Sequence, residues 1–134
     1  MSSIIIVLPK LEDAKHIKDI LARRGLTAAA LCTTASMALA QVHQLDSGVV
    51  ICTTGIGMCV TANKIRGIRC ALLSDLMSAR LTREHNDSNM MALGQGVVGE
   101  KLALEIVDVF LSTPFSGAER HVRRIGKLSA VEAE

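Results

Sequence analysis

Short, uninterrupted apolar runs are the feature that most constrains how this chain can fold. The run Ile4-Ile5-Ile6-Val7-Leu8 is almost entirely β-branched, and Pro9 ends it. Gly48-Val49-Val50-Ile51-Cys52 is a second run of this kind. A strand that is apolar on both faces is covered on both faces, which is typical of a parallel sheet between two layers of helices. The runs therefore predict a parallel sheet.

Segments with helical periodicity separate these runs. The pattern predicts strands over residues 4–8, 27–31, 48–52, 68–73 and 90–93, and helices over 10–24, 35–44, 58–64, 76–85, 100–111 and 116–128. Alternating strands and helices over 134 residues indicate a single α/β domain. We expect a three-layer α/β/α sandwich with a flavodoxin-like (Rossmann-like) five-stranded parallel sheet and an additional C-terminal helix.

Composition excludes several classes of function. With 15 basic and 13 acidic residues, two Phe and neither Tyr nor Trp, the chain lacks the charge and the stacking rings of a nucleic-acid-binding surface. Its apolar runs are too short for a signal peptide or a membrane span. The four cysteines lack zinc-site spacing and lie in or beside apolar runs, as reduced thiols do. We expect a cytoplasmic domain without metal, nucleic-acid or membrane partners.

The turn after the third predicted strand is the first candidate site. Ligands of open α/β sheets bind at the carboxyl ends of the strands, and Thr53-Thr54-Gly55-Ile56-Gly57 follows such an end. Backbone N–H groups at the start of the next helix can hold an oxyanion or a phosphate, although glycines also occur in tight turns without a ligand. Cys52, beside this turn, is either a buried inert thiol or a base or nucleophile activated by the helix N-terminus.

Two further groups are candidates. His85 and Asn86 end a predicted helix, and we expect them at the same edge of the sheet as the turn. A histidine at a helix C-terminus can also simply compensate the helix dipole. Arg120, Arg123, Arg124 and Lys127 form a basic cluster near the C-terminus, which is either a solvated helix face or a site for a small phosphate.

From Cys52 onward, the chain resembles the ribose-5-phosphate isomerase B family, which includes the galactose-6-phosphate isomerase subunits. The matching segments are Cys52-Thr53-Thr54-Gly55-Ile56-Gly57-Met58, Ala62-Asn63-Lys64, Gly67-Ile68-Arg69, Ser78-Ala79-Arg80-Leu81, Arg83-Glu84-His85-Asn86-Asp87, Val97-Val98-Gly99, the run from Leu102 to Phe115, and Arg120-His121 with Arg123-Arg124.

The resemblance implies aldose–ketose isomerisation of a sugar phosphate through an enediolate, without a metal or other cofactor. It implies these roles: Cys52 as the base between C1 and C2, Thr54 with Gly55, Ile56 and Gly57 as the anion hole, His85 and Asn86 in ring opening and positioning, and Arg120 and Arg124 as phosphate ligands. In the family, those arginines come from the neighbouring subunit, so a homodimer is implied.

Residues 1–51 depart from that pattern. Leu8-Pro9-Lys10-Leu11-Glu12-Asp13, the run from Ile17 to Gly25 and the run from Leu45 to Cys52 resemble the opening of a response-regulator receiver of the ANTAR type. The Asp-His pair that the isomerases carry after the first strand is missing, Thr53 replaces an expected glycine, and Gly96 stands where many relatives have an arginine. The two resemblances meet at the end of the third predicted strand and imply a chimera of segments 1–51 and 52–134, engineered or natural. The three departures imply weak or no turnover. The alternatives are a recombined α/β scaffold without catalytic function and a receiver-type signalling or binding module.

Overall fold

A computed structural model describes residues 3–7, 11–23, 28–32 and 48–134. The elements in these ranges are β1 (Ser3–Val7), α1 (Leu11–Ala22), β2 (Ala28–Cys32), β3 (Gly48–Cys52), α2 (Ile56–Ala62), β4 (Cys70–Leu72), α3 (Leu76–Asn86), β5 (Met90–Gly94), α4 (Glu100–Ser112) and α5 (Glu119–Glu132). The helix predicted over residues 35–44 lies outside the described residues.

The strands form a parallel sheet in the order β2-β1-β3-β5-β4, which confirms the α/β class and the parallel sheet. A flavodoxin-like sheet has the order 2-1-3-4-5, so that part of the prediction is wrong for the last two strands. Burial gives the reason. All five residues of β5 are buried, whereas the three residues of β4 are partly or fully exposed. The fully apolar strand occupies the interior position, and the short one lies at the edge.

Side chains alternate between the two faces of the sheet, and helices cover both. Val49 and Ile51 of β3 pack with residues of α1, α3 and α4, including the buried Leu21, Ala79 and Ile106. Val50, between them in the chain, packs on the opposite face with residues of α2. The period of two along β3 thus divides the core into two clusters, as expected for a strand covered on both sides.

Helix α5 lies apart from these layers. His121 is its buried residue, while Val122, Leu128 and Val131 are 52%, 54% and 66% exposed. A hydrogen bond from Gly67 N to Glu132 Oε1 (2.7 Å) joins the end of α5 to the segment before β4. Neither α5 nor any other helix in the described ranges is long and apolar enough to cross a membrane.

Candidate functional site

The turn between β3 and α2 places a thiol beside backbone N–H groups. Cys52 is the last residue of β3, and Gly55 N donates a hydrogen bond to its Sγ at 3.1 Å. Gly55 adopts φ = 78°, a left-handed conformation that suits glycine, and α2 begins at the next residue. Ile56 N donates to Thr54 Oγ1 at 3.3 Å. The sulfur of Cys52 thus accepts a hydrogen bond from a backbone N–H group at the start of α2.

The loop after β5 is hydrogen-bonded to this turn through its backbone. Gln95 N donates to Cys52 O, and Gly96 N donates to Thr53 O, both at 2.8 Å. A Cβ atom on Gly94 would lie 2.5 Å from Thr54 O, and one on Gly55 would lie 2.8 Å from the backbone carbon of Leu93. The two backbones approach so closely that only glycine fits at positions 55 and 94, which explains the glycines better than turn formation alone.

The replacement at Thr53 does not distort the turn. Among the described residues, the non-glycine residue with positive φ is Asp87, so Thr53 adopts a conformation open to a β-branched side chain. A Cβ atom on Gly96 would lie 3.1 Å from Thr53 O, so a longer side chain at position 96 would require this loop to shift. Thr53 therefore carries no strain from a positive φ, and the replacement of glycine there is not a reason to expect an impaired turn.

The turn faces solvent on its outer side. Thr53, Thr54, Ile56 and Gly57 are exposed, and Cys52 is partly buried. The first N–H groups of a helix have no carbonyl partner within that helix. The arrangement can therefore present a half-buried thiol and several backbone donors to one small anionic ligand.

His85 and Asn86 lie at the opposite edge of the sheet. Arg69 Nε donates to Asn86 O (3.0 Å), and Arg69 N donates to the side chain of Asn89 (2.8 Å). Asn89 O accepts from Gly48 N, the first residue of β3 (2.9 Å). At about 3.3 Å per residue, β3 separates this level from Cys52 by about 13 Å. The expectation of a shared edge is wrong, because a helix that follows a parallel strand returns to the amino end of the sheet.

A second cluster forms at that amino edge. The rings of His85 and His121 lie 4.3 Å apart between centroids, and Ser116 Oγ lies 2.8 Å from His121 Nδ1. Burial lowers the pKa of His121, and the nearby His85, Arg120 and Arg124 lower it further. Both arginines are exposed and stand one helical turn apart on α5. The cluster thus combines a buried imidazole, a second imidazole and two exposed guanidinium groups.

Sequence reasoning assigned no role to Ser116 or His121. The sequence does contain one indication that His121 is buried. It lies four residues before Ile125, a spacing that puts both residues on the inner side of an amphipathic helix. The buried contact with His85 depends on how α5 docks on α3, which periodicity alone does not specify.

A cavity of about 180 Å³ lies beside the turn, between α1 and α4. Gly94, Gln95, His16 and Glu100 contribute to an otherwise apolar lining, and sequence reasoning had not singled out His16. Across the described residues, no three His, Cys, Asp or Glu side chains are placed to hold a metal ion.

Comparison with known proteins shows the family. The family model described as Ribose/Galactose Isomerase matches residues 11–128. YwlF of Bacillus subtilis (strain 168), named for a sugar phosphate isomerase, is 54% identical over 89 residues, and ribose-5-phosphate isomerase B of Escherichia coli (strain K12) is 44% identical over 89 residues. Each match covers 66% of this chain and 59% of the relative, so the chain spans about three fifths of the length of these curated relatives.

A solved structure extends the similarity to the N-terminal part. Ribose-5-phosphate isomerase B from Mycoplasma genitalium, with bound ribulose-5-phosphate, has a TM-score of 0.79 and 28% identity and covers 100% of this chain and 99% of its own. The family match begins at residue 11, inside the segment that resembles a receiver. The receiver segment and the chimera thus find no support, and the chain belongs to the ribose/galactose isomerase family.

Proposed function

We propose that this protein is a sugar-phosphate aldose–ketose isomerase whose sites form between two copies of the chain. The observation that carries the proposal is the Cys52 thiol at the carboxyl end of β3, with Gly55 N 3.1 Å from its sulfur. Family membership and the ribulose-5-phosphate bound by the Mycoplasma genitalium relative support a phosphorylated sugar as the substrate.

The proposed reaction moves one proton between adjacent carbons and a second proton between the oxygens that those carbons carry. The Cys52 thiolate removes a proton from the carbon next to the carbonyl, and the same proton returns to the neighbouring carbon after the enediolate forms. N–H groups of Gly55, Ile56 and Gly57 stabilise the negative charge that develops on oxygen. In the free turn, Gly55 N and Ile56 N donate to Cys52 Sγ and Thr54 Oγ1, which are weak acceptors. When the enediolate forms, these N–H groups donate to a charged oxygen instead.

The second copy supplies the phosphate site and the ring-opening group. Within one chain, Cys52 lies about 13 Å along β3 from the level of Asn86, beyond hydrogen-bonding reach of a shared small ligand. His85, Asn86, Arg120 and Arg124 therefore act on a sugar held by the Cys52 turn of the partner copy. The exposed apolar residues of α5, Val122, Leu128 and Val131, provide the surface for that association.

The test is turnover of ribose 5-phosphate and, separately, allose 6-phosphate in a coupled assay. We expect Cys52→Ala to lower kcat by about 10²–10⁴-fold, the usual contribution of a general base. Cys59→Ala is the matched control, because Cys59 is partly buried in the same cluster but lies seven residues further along the chain.

Each negative outcome has a separate meaning. Turnover that survives Cys52→Ala would remove Cys52 as the base. Wild-type turnover no faster than the reaction without protein, for both sugars, would contradict the proposal and favour a scaffold without catalytic function.

A further inference from the structure

Two other thiols lie together on the face of the sheet that α2 covers. Cys59 is in α2, and Cys70 is the first residue of β4. Cys59 Sγ donates to Cys70 O at 3.6 Å. Both side chains pack on the same buried cluster, which contains Met58 and Met90. Both are reduced and partly buried, and neither belongs to the proposed catalytic machinery.

Asn63 fixes the spacing of the two cysteines. Its Nδ2 donates to Cys70 O (2.9 Å) and contacts Cys59 Sγ (3.7 Å), while its Oδ1 accepts from Cys70 N (2.8 Å). Burial raises the pKa of the Cys70 thiol, and the adjacent Cys59 thiol raises it further. Cys59 Sγ itself lies 3.6 Å from Cys70 O and 3.7 Å from Asn63 Nδ2, so its sulfur is beside the Cys70 residue. The contacts therefore hold the thiols next to each other before any reaction.

Reagents can reach the pair. Cys70 lines a cavity of about 530 Å³ between β4, α3 and α5, which Asn63 and Arg69 also line. Cys59 does not line this cavity, but its side chain is itself partly exposed. A small disulfide can thus approach without unfolding of the sheet.

We infer that Cys59 and Cys70 are a modification site that forms a reversible disulfide by exchange with a low-molecular-weight disulfide such as oxidised glutathione. The Cys59 thiolate attacks one sulfur of the reagent, whose S–S bond breaks and releases one small thiol. The Cys70 thiolate then attacks the mixed disulfide, forms the Cys59–Cys70 bond and releases the second small thiol. The two protein thiols are oxidised, the reagent is reduced, and the two cysteine protons pass to the leaving thiolates.

The order of attack follows from the environments of the two thiols. The thiolate is the nucleophile in exchange, and the raised pKa of Cys70 leaves little thiolate at neutral pH. Cys59 reacts first, and closure by Cys70 is the slower step. The new bond would join α2 to β4. β4 also carries Leu72, whose Cδ1 lies 2.6 Å from the position that a Cβ atom on Gly55 would take. The inference does not rest on the proposed function.

Thiol counting after exposure to oxidised glutathione tests the inference. The native protein is oxidised, and its accessible thiols are then blocked with iodoacetamide. It is next denatured in further iodoacetamide, and its intact mass is measured by mass spectrometry. The chain has four cysteines, so reduced protein takes four alkyl groups. We expect oxidised wild type to take two, to carry no glutathione and to regain four after dithiothreitol. Trypsin with cyanogen bromide should yield residues 59–64 linked to residues 70–77, because cleavage follows Met58, Lys64, Arg69 and Met77.

Serine variants separate this pair from the other cysteines. Cys52→Ser should still lose two alkylation sites, whereas Cys59→Ser and Cys70→Ser should form no internal disulfide. In Cys70→Ser, glutathione should remain on Cys59. Four alkylated thiols in oxidised wild type, glutathione retained on both cysteines, or a disulfide that maps to Cys52 or Cys32 would overturn the inference.

Discussion

The carbonyl oxygen of Thr54 lies where a side chain at Gly94 would begin. A Cβ atom there would be 2.5 Å from that oxygen and 2.6 Å from its carbon, both backbone atoms that cannot rotate away. We expect Gly94→Ala to lower the free energy of unfolding by about 1–3 kcal/mol, as overpacking does. Because the relief would move the Cys52 turn, turnover should fall as well. Urea denaturation and the coupled assay measure the two effects.

Gly126→Ala is the matched control. Gly126 lies inside α5, and no atom of the described residues beyond its own stretch of helix lies within 4 Å of its hypothetical Cβ. Alanine in a helix interior should stabilise the protein by about 0.5–1 kcal/mol. Equal stabilities of the Gly94→Ala variant and wild type would show that the two backbones can separate without cost.

The buried imidazole of His121 gives stability a dependence on pH. Burial, followed by the charges of His85, Arg120 and Arg124, holds its pKa below the ordinary value of 6.5, while Glu84 opposes them. Between these values the unfolded chain binds more protons than the folded one, so the free energy of unfolding rises with pH. We expect stability to decline as pH falls below about 6.5. His121→Gln should flatten this decline in urea denaturation at about pH 7 and pH 5.

His16→Gln, on the exposed surface of α1, serves as the control for removing an imidazole. It should leave the fall in stability between the two pH values close to that of wild type. An unchanged fall in His121→Gln would mean that another group causes the acid sensitivity.

At the scale of elements, Arg83 links three of them. Its Nε donates to Thr113 O (3.1 Å) after α4, and its Nη1 donates to Ser88 O (2.6 Å) before β5. The guanidinium also lies 5.6 Å from the ring centre of Phe110 in α4. Lysine cannot reproduce this fork. We expect Arg83→Lys to lower the free energy of unfolding by about 1–3 kcal/mol because carbonyl partners are left unsatisfied.

Arg80→Lys is the comparison one helical turn away. Arg80 is half exposed and pairs with Glu84 at 3.4 Å. An exposed i,i+4 ion pair contributes little, so we expect a change within about 0.5 kcal/mol. Similar losses in both variants would argue that the Arg83 contacts do not hold α3, α4 and β5 together.

The sequence predicted elements better than their arrangement. Apolar runs located β3 and β5 closely because each is buried on both faces, and periodicity located α3 and α4. The same pattern extended β4 over residues 68–73, of which Cys70–Leu72 form the strand. Strand order and the docking of α5 on α3 depend on contacts between distant residues, such as that of His85 with His121. The local sequence pattern does not specify contacts between residues that are distant in the chain.

At the scale of the whole molecule, the sheet itself divides the candidate site. Cys52 lies at its carboxyl edge, and the cluster around His85 lies at its amino edge. Sequence reasoning identified both sets of residues from motifs, but it placed them at one edge because both are near chain reversals. Helices that connect parallel strands run in the opposite direction to the strands. The end of α3, which carries His85, therefore lies at the amino edge of the sheet, where β5 begins.

This separation predicts complementation between two inactive variants. Cys52→Ala lacks the proposed base, and the double variant Arg120→Ala/Arg124→Ala lacks the proposed phosphate ligands. If each site combines the turn of one copy with the arginines of another, a mixed dimer has one intact site and one doubly damaged site. Random pairing makes half of the dimers mixed, so co-refolded variants should recover about a quarter of wild-type activity.

The control is the same two proteins refolded separately and assayed at once after mixing, before subunits exchange. This sample should show only the sum of the two residual activities. A co-refolded sample that does no better would place the arginines in the same chain as the cysteine they serve. The edge-to-edge separation along β3 would then require α5 to leave His85 and reach around the sheet. In that case Ser116→Ala, which removes the contact with His121 Nδ1, should raise turnover.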